Sequence, residues 1–117
     1  MQSNPFVDKK ILVVDDFGDM RMMLINIMRM LGANDIDSNN DGLGAIASMK
    51  ESKYDIILCD YNLGSGKDGQ QVLEEARFRG LINMSTIFIM VTAESTRSMV
   101  MGALEYEPDA YISKPFS

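Results

Sequence analysis

Short apolar runs alternate along this chain with stretches of helical periodicity, and three of the runs lead into charged side chains. Ile11-Leu12-Val13-Val14 precedes Asp15-Asp16, Tyr54-Asp55-Ile56-Ile57-Leu58-Cys59 precedes Asp60, and Ala110-Tyr111-Ile112 comes just before Lys114. Runs that are apolar throughout suit strands buried on both faces. Strand–helix alternation of this kind predicts a parallel, doubly wound α/β sheet with right-handed crossovers. The C-terminal ends of its strands share one edge, where open sheets hold their ligands. The expected result is an acidic pocket with one cation beside it.

Residues 11–14 are the first expected strand. A helix is expected from Asp19 to Leu31, because Met20, Leu24, Ile27, Met28 and Leu31 share one stripe and Gly32 supplies a stop. Asp35-Ile36-Asp37 is a weak edge strand, and Asp41 caps a helix running to about Lys50 with Ile46 and Met49 inward. Residues 54–59 form the third strand, and Gly64 to Gly69 is loop by composition. A helix from Gln70 to Phe78 carries Val72, Leu73 and Ala76 as its apolar stripe. Residues 86–91 are the clearest central strand. A helix from Ser95 to about Glu105 and a short strand at 110–112 follow.

Five strands and four helices leave one sheet face short of cover. The expectation is therefore a lead-in at residues 1–8 and one domain at 9–117 with its final helix missing, either part of a longer protein or a chain that borrows cover from a partner. An open apolar patch on the order of several hundred Å² would favour self-association.

At 117 residues the chain supports one core, and a hydrophobic share of 46% is that of a globular domain. A net charge of −6 argues against nonspecific binding to nucleic acid or an anionic membrane surface. No apolar run approaches the roughly 20 residues of a membrane span, and the N-terminus does not read as a signal peptide. One cysteine excludes an internal disulfide and fits the cytoplasm. Cys59, inside a strand, reads as a small core residue. Gly42 and Gly44 lack the Lys-Ser/Thr of a phosphate loop. Histidine is absent, which removes imidazole zinc sites, His-dependent triads and an internal phosphohistidine. A histidine that delivers a phosphoryl group here must belong to another protein.

Two carboxylates 4 Å apart repel by roughly 4 kcal/mol in a surface-like dielectric, so three need a cation. Mg2+ or Mn2+ suits such oxygen ligands. Asp16 and Asp60 are the expected direct ligands, Asp15 acts through water, and the backbone carbonyl of Asn62 is a further ligand. Asp60 is the candidate nucleophile, since a carboxylate can attack phosphorus when nearby cations neutralise the equatorial oxygens. Lys114 supplies a compact positive charge and Thr92 a hydroxyl. Taken alone, Asp15-Asp16 reads equally well as a cap for the following helix.

Asp15-Asp16, Asp60, Thr92-Ala93-Glu94, Tyr111 and Lys114-Pro115-Phe116 together closely resemble the receiver domain of bacterial response regulators, from Lys10 to Phe116. The resemblance implies a flavodoxin-like strand order 2-1-3-4-5, with Asp60 as phosphoacceptor and Asp15 and Asp16 at a magnesium site. It also implies that Lys114 contacts the phosphoryl group, with Thr92 the switch hydroxyl and Tyr111 the aromatic switch. The implied partners are a histidine kinase or histidine phosphotransfer protein and a downstream effector, which can sit on the same chain. Such a domain is a switch rather than an enzyme. Two features depart from the pattern. Gly64-Ser65-Gly66-Lys67 replaces a shorter, proline-containing loop, and Glu107-Pro108 stands where Gly-Ala is common.

Met22, Ile25 and Met30 fall off the inward stripe of the first helix, and Met22 with Ile25 is a candidate docking patch for the phosphodonor. Two other functions compete with the switch. One is a degenerate receiver acting as a phosphorylation-independent interaction module. The other is a magnesium-dependent phosphohydrolase, which fits poorly because such enzymes usually place nucleophile and acid together after the first strand.

Overall fold

The computed structural model describes residues 5–93 and 106–114. Five strands form one parallel sheet in the order β2-β1-β3-β4-β5. They are β1 (Lys10–Val14), β2 (Asp35–Asn39), β3 (Ile56–Asp60), β4 (Ile87–Ala93) and β5 (Ala110–Lys114). Three helices are described: α1 (Gly18–Met30), α2 (Gly42–Glu51) and α3 (Gly69–Phe78). The expected doubly wound order is observed. The expected helix from Ser95 to about Glu105 lies outside the described residues.

Local signals explain the boundaries. Asp41 caps α2 by accepting from the Gly44 amide at 2.7 Å. Asp68 and Gln71 make a reciprocal capping box at α3, each side chain bonded to the other's backbone. Gly32 ends α1 with φ 101, a conformation that costs a residue with a Cβ about 1–2 kcal/mol.

Alternation along the strands divides the core in two. Leu12, Val14, Ile57, Cys59, Phe88 and Met90 face α2 and α3 and pack with Ile46, Met49, Val72, Leu73 and Ala76. Ile11, Val13, Ile56 and Leu58 face α1 and pack with Leu24, Ile25 and Met28. Phe6 joins this second cluster, so the lead-in contributes to the core.

One sequence expectation is corrected here. Ile25 is only 8% exposed and belongs to the α1 core, so it is not part of a docking surface. Met22, Met23, Met30 and Leu31 are exposed instead. The buried stripe is centred on Leu24, Ile25 and Met28, and an apolar stripe of about 100° accommodates all three. On the α1 side the described residues also form a groove of about 370 Å³, with Leu31, Ile89 and Ile112 among its lining.

Candidate functional site

The same alternation positions the site. Asp15 continues the β1 face of Ile11 and Val13, and Asp60 continues the β3 face of Ile56 and Leu58. Lys114 follows Ile112 on β5 by two residues, which puts it on the matching face of the sheet. The three groups therefore meet at the C-terminal edge on the α1 side. Lys114 Nζ donates to Asp60 Oδ2 at 2.8 Å and lies 3.6 Å from Asp15 Oδ2.

Asp15 is fully buried and Asp60 nearly so, whereas Asp16 is exposed. One oxygen from each of the three lies within 4.8 Å of the others. The Asp15 Oδ1 atom accepts from the Phe17 amide at 2.9 Å, while its buried Oδ2 has no hydrogen-bond donor. The N-cap of α1 is Phe17, with no side-chain capping bond. The acid pair is thus not a helix cap, and the competing reading falls. A buried carboxylate oxygen without a donor, facing two further carboxylates, fits a hard divalent cation.

Burial raises the Asp60 pKa above the usual carboxylate range. The Lys114 hydrogen bond opposes that rise, and the Asp15 charge adds to it. Burial by itself would lower the Lys114 ammonium, but its hydrogen bond to Asp60 and the two carboxylate charges outweigh this, so its pKa is raised. A simple ion pair would move the two partners in opposite directions. Here desolvation dominates the acid, so both partners move upward.

Around this centre, the Asn62 amide donates to Asp60 Oδ1 at 3.2 Å, and the Asn62 side chain accepts from the Gly64 amide. Gly64 has φ 78, and a Cβ there would lie 3.2 Å from Asp16 Oδ2. Gly64 thus serves both the turn of this loop and its close approach to the acid cluster. Thr92 is buried near the end of β4, two residues beyond Met90 and paired in register with Ser113. Tyr111 pairs in register with Met90 and packs, half-buried, on the α2–α3 cluster. Thr92 and Tyr111 consequently share the sheet face opposite Asp60 and Lys114.

Two positions escaped the sequence reading. Arg21 NH1 donates to the Asp15 carbonyl at 2.8 Å, holding the acid pair from α1. Gly69 is the first residue of α3, and its amide donates to the Tyr61 carbonyl at 2.7 Å. A Cβ on Gly69 would collide with the Asp60 carbonyl and would come within 2.8 Å of Met90 Sδ and Tyr61 Cα. A poor helix former just after an Asp cap was the available signal.

The family profile described as Response regulator receiver domain matches residues 11–117. The chain belongs to this family. It is 34% identical over 108 residues to chemotaxis protein CheY-3 of Vibrio cholerae, covering 92% of this chain and 82% of that protein. It is 32% identical to the chemotaxis protein CheY of Pseudomonas aeruginosa, covering 92% of this chain and 86% of that protein. Among solved structures it resembles the response regulator TrrA of Thermotoga maritima, determined with Mg2+ and BeF. The TM-score is 0.77 at 28% identity, covering 92% of this chain and 88% of that one. The receiver domain of a Pseudomonas aeruginosa sensor histidine kinase, with magnesium in its active-site cleft, gives 0.77 at 25% identity, covering 95% and 88%. This is therefore a receiver domain of two-component and chemotaxis signalling with an acidic pocket at its sheet edge. No helix among its described residues is long and apolar enough to cross a membrane.

Proposed function

We propose that this receiver is a phosphorylation switch that accepts a phosphoryl group on Asp60 from a phosphohistidine of a partner protein. The observation that carries the reading is the Asp60 carboxylate bonded to Lys114 beside the buried, donor-less oxygen of Asp15. An Asp60 oxygen forms the new bond to phosphorus, and the donor's P–N bond breaks with its electron pair returning to the imidazole. Lys114 neutralises charge on the phosphoryl oxygens, and the Thr92 hydroxyl, at the same sheet edge but on the opposite face, is drawn round to donate to one of them. Asp15, Asp16, Asp60 and the Asn62 carbonyl would hold Mg2+ or Mn2+. The metal, when bound, neutralises the acid cluster and the incoming phosphoryl charge. Thr92 and Tyr111 share one sheet face, which suits a rearrangement that carries the change to the surface. The domain is a phosphoacceptor rather than a turnover enzyme. Its single, buried cysteine suits the cytoplasm.

The test is intact mass after incubation with Mg2+ and a small acyl phosphate. One added phosphoryl group is expected, absent from Asp60→Asn and from a metal-free sample. No added mass in the parent chain would instead favour a phosphorylation-independent interaction module. With Ile25 in the core, the donor-docking proposal rests on Met22. Met22→Lys should slow transfer from a phosphohistidine donor while sparing the acyl phosphate, and equal slowing with both would end it.

The groove on the α1 side makes self-association of this chain an expected outcome at high concentration. Sedimentation velocity across a hundredfold concentration range should show a rising mean mass, and a constant monomer would contradict it.

A further inference from the structure

Apart from the acid pocket, the described residues hold a connected polar cluster between α3 and the segment that leads into β5. Gln70 is 7% exposed, and its Nε2 donates to the Tyr106 carbonyl at 2.7 Å and to Glu74 Oε2 at 3.1 Å. Its Oε1 is buried and has no donor. Seven residues on, and so on the same helix face, Arg77 NH1 donates to the Glu107 carbonyl, and Arg77 NH2 lies 3.6 Å from Asp109 Oδ2. Asp109 ties the segment to β4: its Oδ2 accepts from the Phe88 amide at 2.7 Å, and its amide donates to the Phe88 carbonyl at 2.8 Å. Pro108 between them is buried.

Two side chains of α3 thus hold successive carbonyls just ahead of the strand that carries Tyr111 and Lys114. At its N-terminal turn the same helix is wedged against the phosphoacceptor strand. Gly69, next to Gln70, leaves no room for a single added carbon against the Asp60 carbonyl. We propose that Gln70 and Arg77 are positioning residues: α3 latches the lead-in of β5 and so sets where Lys114 and Tyr111 stand relative to Asp60. A buried Gln that leaves one oxygen unpaired carries a desolvation cost. Its bonds to Glu74 and Tyr106 offset that cost, and the one to Tyr106 reaches beyond α3.

The inference rests on reading Asp60 as the phosphoacceptor, so the experiment has one arm that does not depend on it. In the full chain without phosphodonor, hydrogen exchange at the β5 amides is compared among the parent, Gln70→Glu, Arg77→Gln and Arg77→Lys. Glu has the shape of Gln but, ionised, cannot donate to Tyr106. The loss variants Gln70→Glu and Arg77→Gln should exchange faster in β5, by roughly tenfold for one lost buried hydrogen bond. Arg77→Lys keeps a donor and a charge and should recover most of the protection. In the second arm, phosphorylation by acyl phosphate should slow several-fold in the loss variants while Mg2+ affinity holds, because the acid cluster lies on other elements.

Unchanged exchange in both loss variants would overturn the latch, as would Mg2+ affinity falling in step with rate, which marks general loosening. Faster exchange with an unchanged rate would overturn the positioning role. If Gln70→Glu fails to fold, the two Arg77 variants decide the question, since that side chain is partly exposed. Failure of the parent chain to be phosphorylated would sink the switch reading, while the exchange arm would still test the latch.

Discussion

Lys114→Ala is expected to slow phosphorylation of Asp60 by about a hundredfold or more, the usual cost of removing one preorganised group that stabilises transition-state charge. It should also make the fold lean on Mg2+. In the parent chain the Lys114 ammonium lies 2.8 Å from Asp60 and 3.6 Å from Asp15, the latter wholly shielded from water. Removing it leaves Asp60, whose ionised form burial already disfavours, beside the buried Asp15 with no cation. Asp60 is raised above its usual pKa even with the lysine in place, so its ionised form is less comfortable folded than unfolded. The sign follows from linkage: a group whose folded pKa is raised contributes stability at low pH and loses it as pH rises through that value. Without Lys114 the pKa of Asp60 should rise further, and metal-free stability near neutral pH should fall by about 2 kcal/mol, the worth of a hydrogen bond between charged groups. Added Mg2+ replaces the missing charge, so it should raise the melting temperature more in the variant than in the parent. Thermal melts with and without Mg2+, beside a mass time course, check both parts. A variant with the same metal-free melting temperature and an equal Mg2+ response would mean that Lys114 does not balance the acids. A variant phosphorylated at the parent rate would remove it from the chemistry.

The convergence of Asp15, Asp60 and Lys114 was legible because it depends on two coarse features. Each group sits at the end of an apolar run, and the parity of its position fixes the sheet face it occupies. Both survive errors of a residue or two in strand boundaries, such as β3 beginning at Ile56 rather than at Tyr54. The face of α1 was less legible. A stripe drawn through Met20, Leu24, Ile27, Met28 and Leu31 has the right period but the wrong centre, since the helix turns toward Ile25 and leaves Leu31 exposed. Periodicity fixes the width of a buried stripe better than its rotation, which is set by the surface it meets. The role of Phe6 was hidden because Pro5-Phe6-Val7 is too short to show any helical or strand period. Contacts of Arg21, Gln70 and Arg77 with backbone carbonyls were not legible at all, because any of these long polar side chains reads first as solvated surface. A carbonyl partner leaves no mark in the sequence.

Gly69→Ala is the substitution outside the charged groups expected to cost most. Alanine is the better helix former, by at most about 1 kcal/mol, and less in a first turn. Against that gain, the added carbon would meet the Asp60 carbonyl and the Tyr61 Cα, both backbone atoms that cannot rotate aside, as well as Met90 Sδ. Overpacking against rigid neighbours costs about 3 kcal/mol at the upper end of its usual range. The clash should win by about 2 kcal/mol, which for a domain of this size lowers the melting temperature by roughly 8 °C. The direction of relief matters for function. If α3 moves away, the Gly69 amide leaves the Tyr61 carbonyl and the loop after Asp60 shifts with it. Phosphorylation by acyl phosphate should therefore slow even at temperatures where the variant is fully folded. Gly66→Ala is the matched control. Gly66 has φ 90 and open space where its Cβ would stand, so alanine there should cost about 1 kcal/mol of left-handed backbone strain and leave the phosphorylation rate unchanged. Calorimetry and the mass time course on the two variants separate packing against the phosphoacceptor from loop strain. If Gly69→Ala were no worse than Gly66→Ala in both measurements, the close approach of α3 to Asp60 would have no part in holding the site.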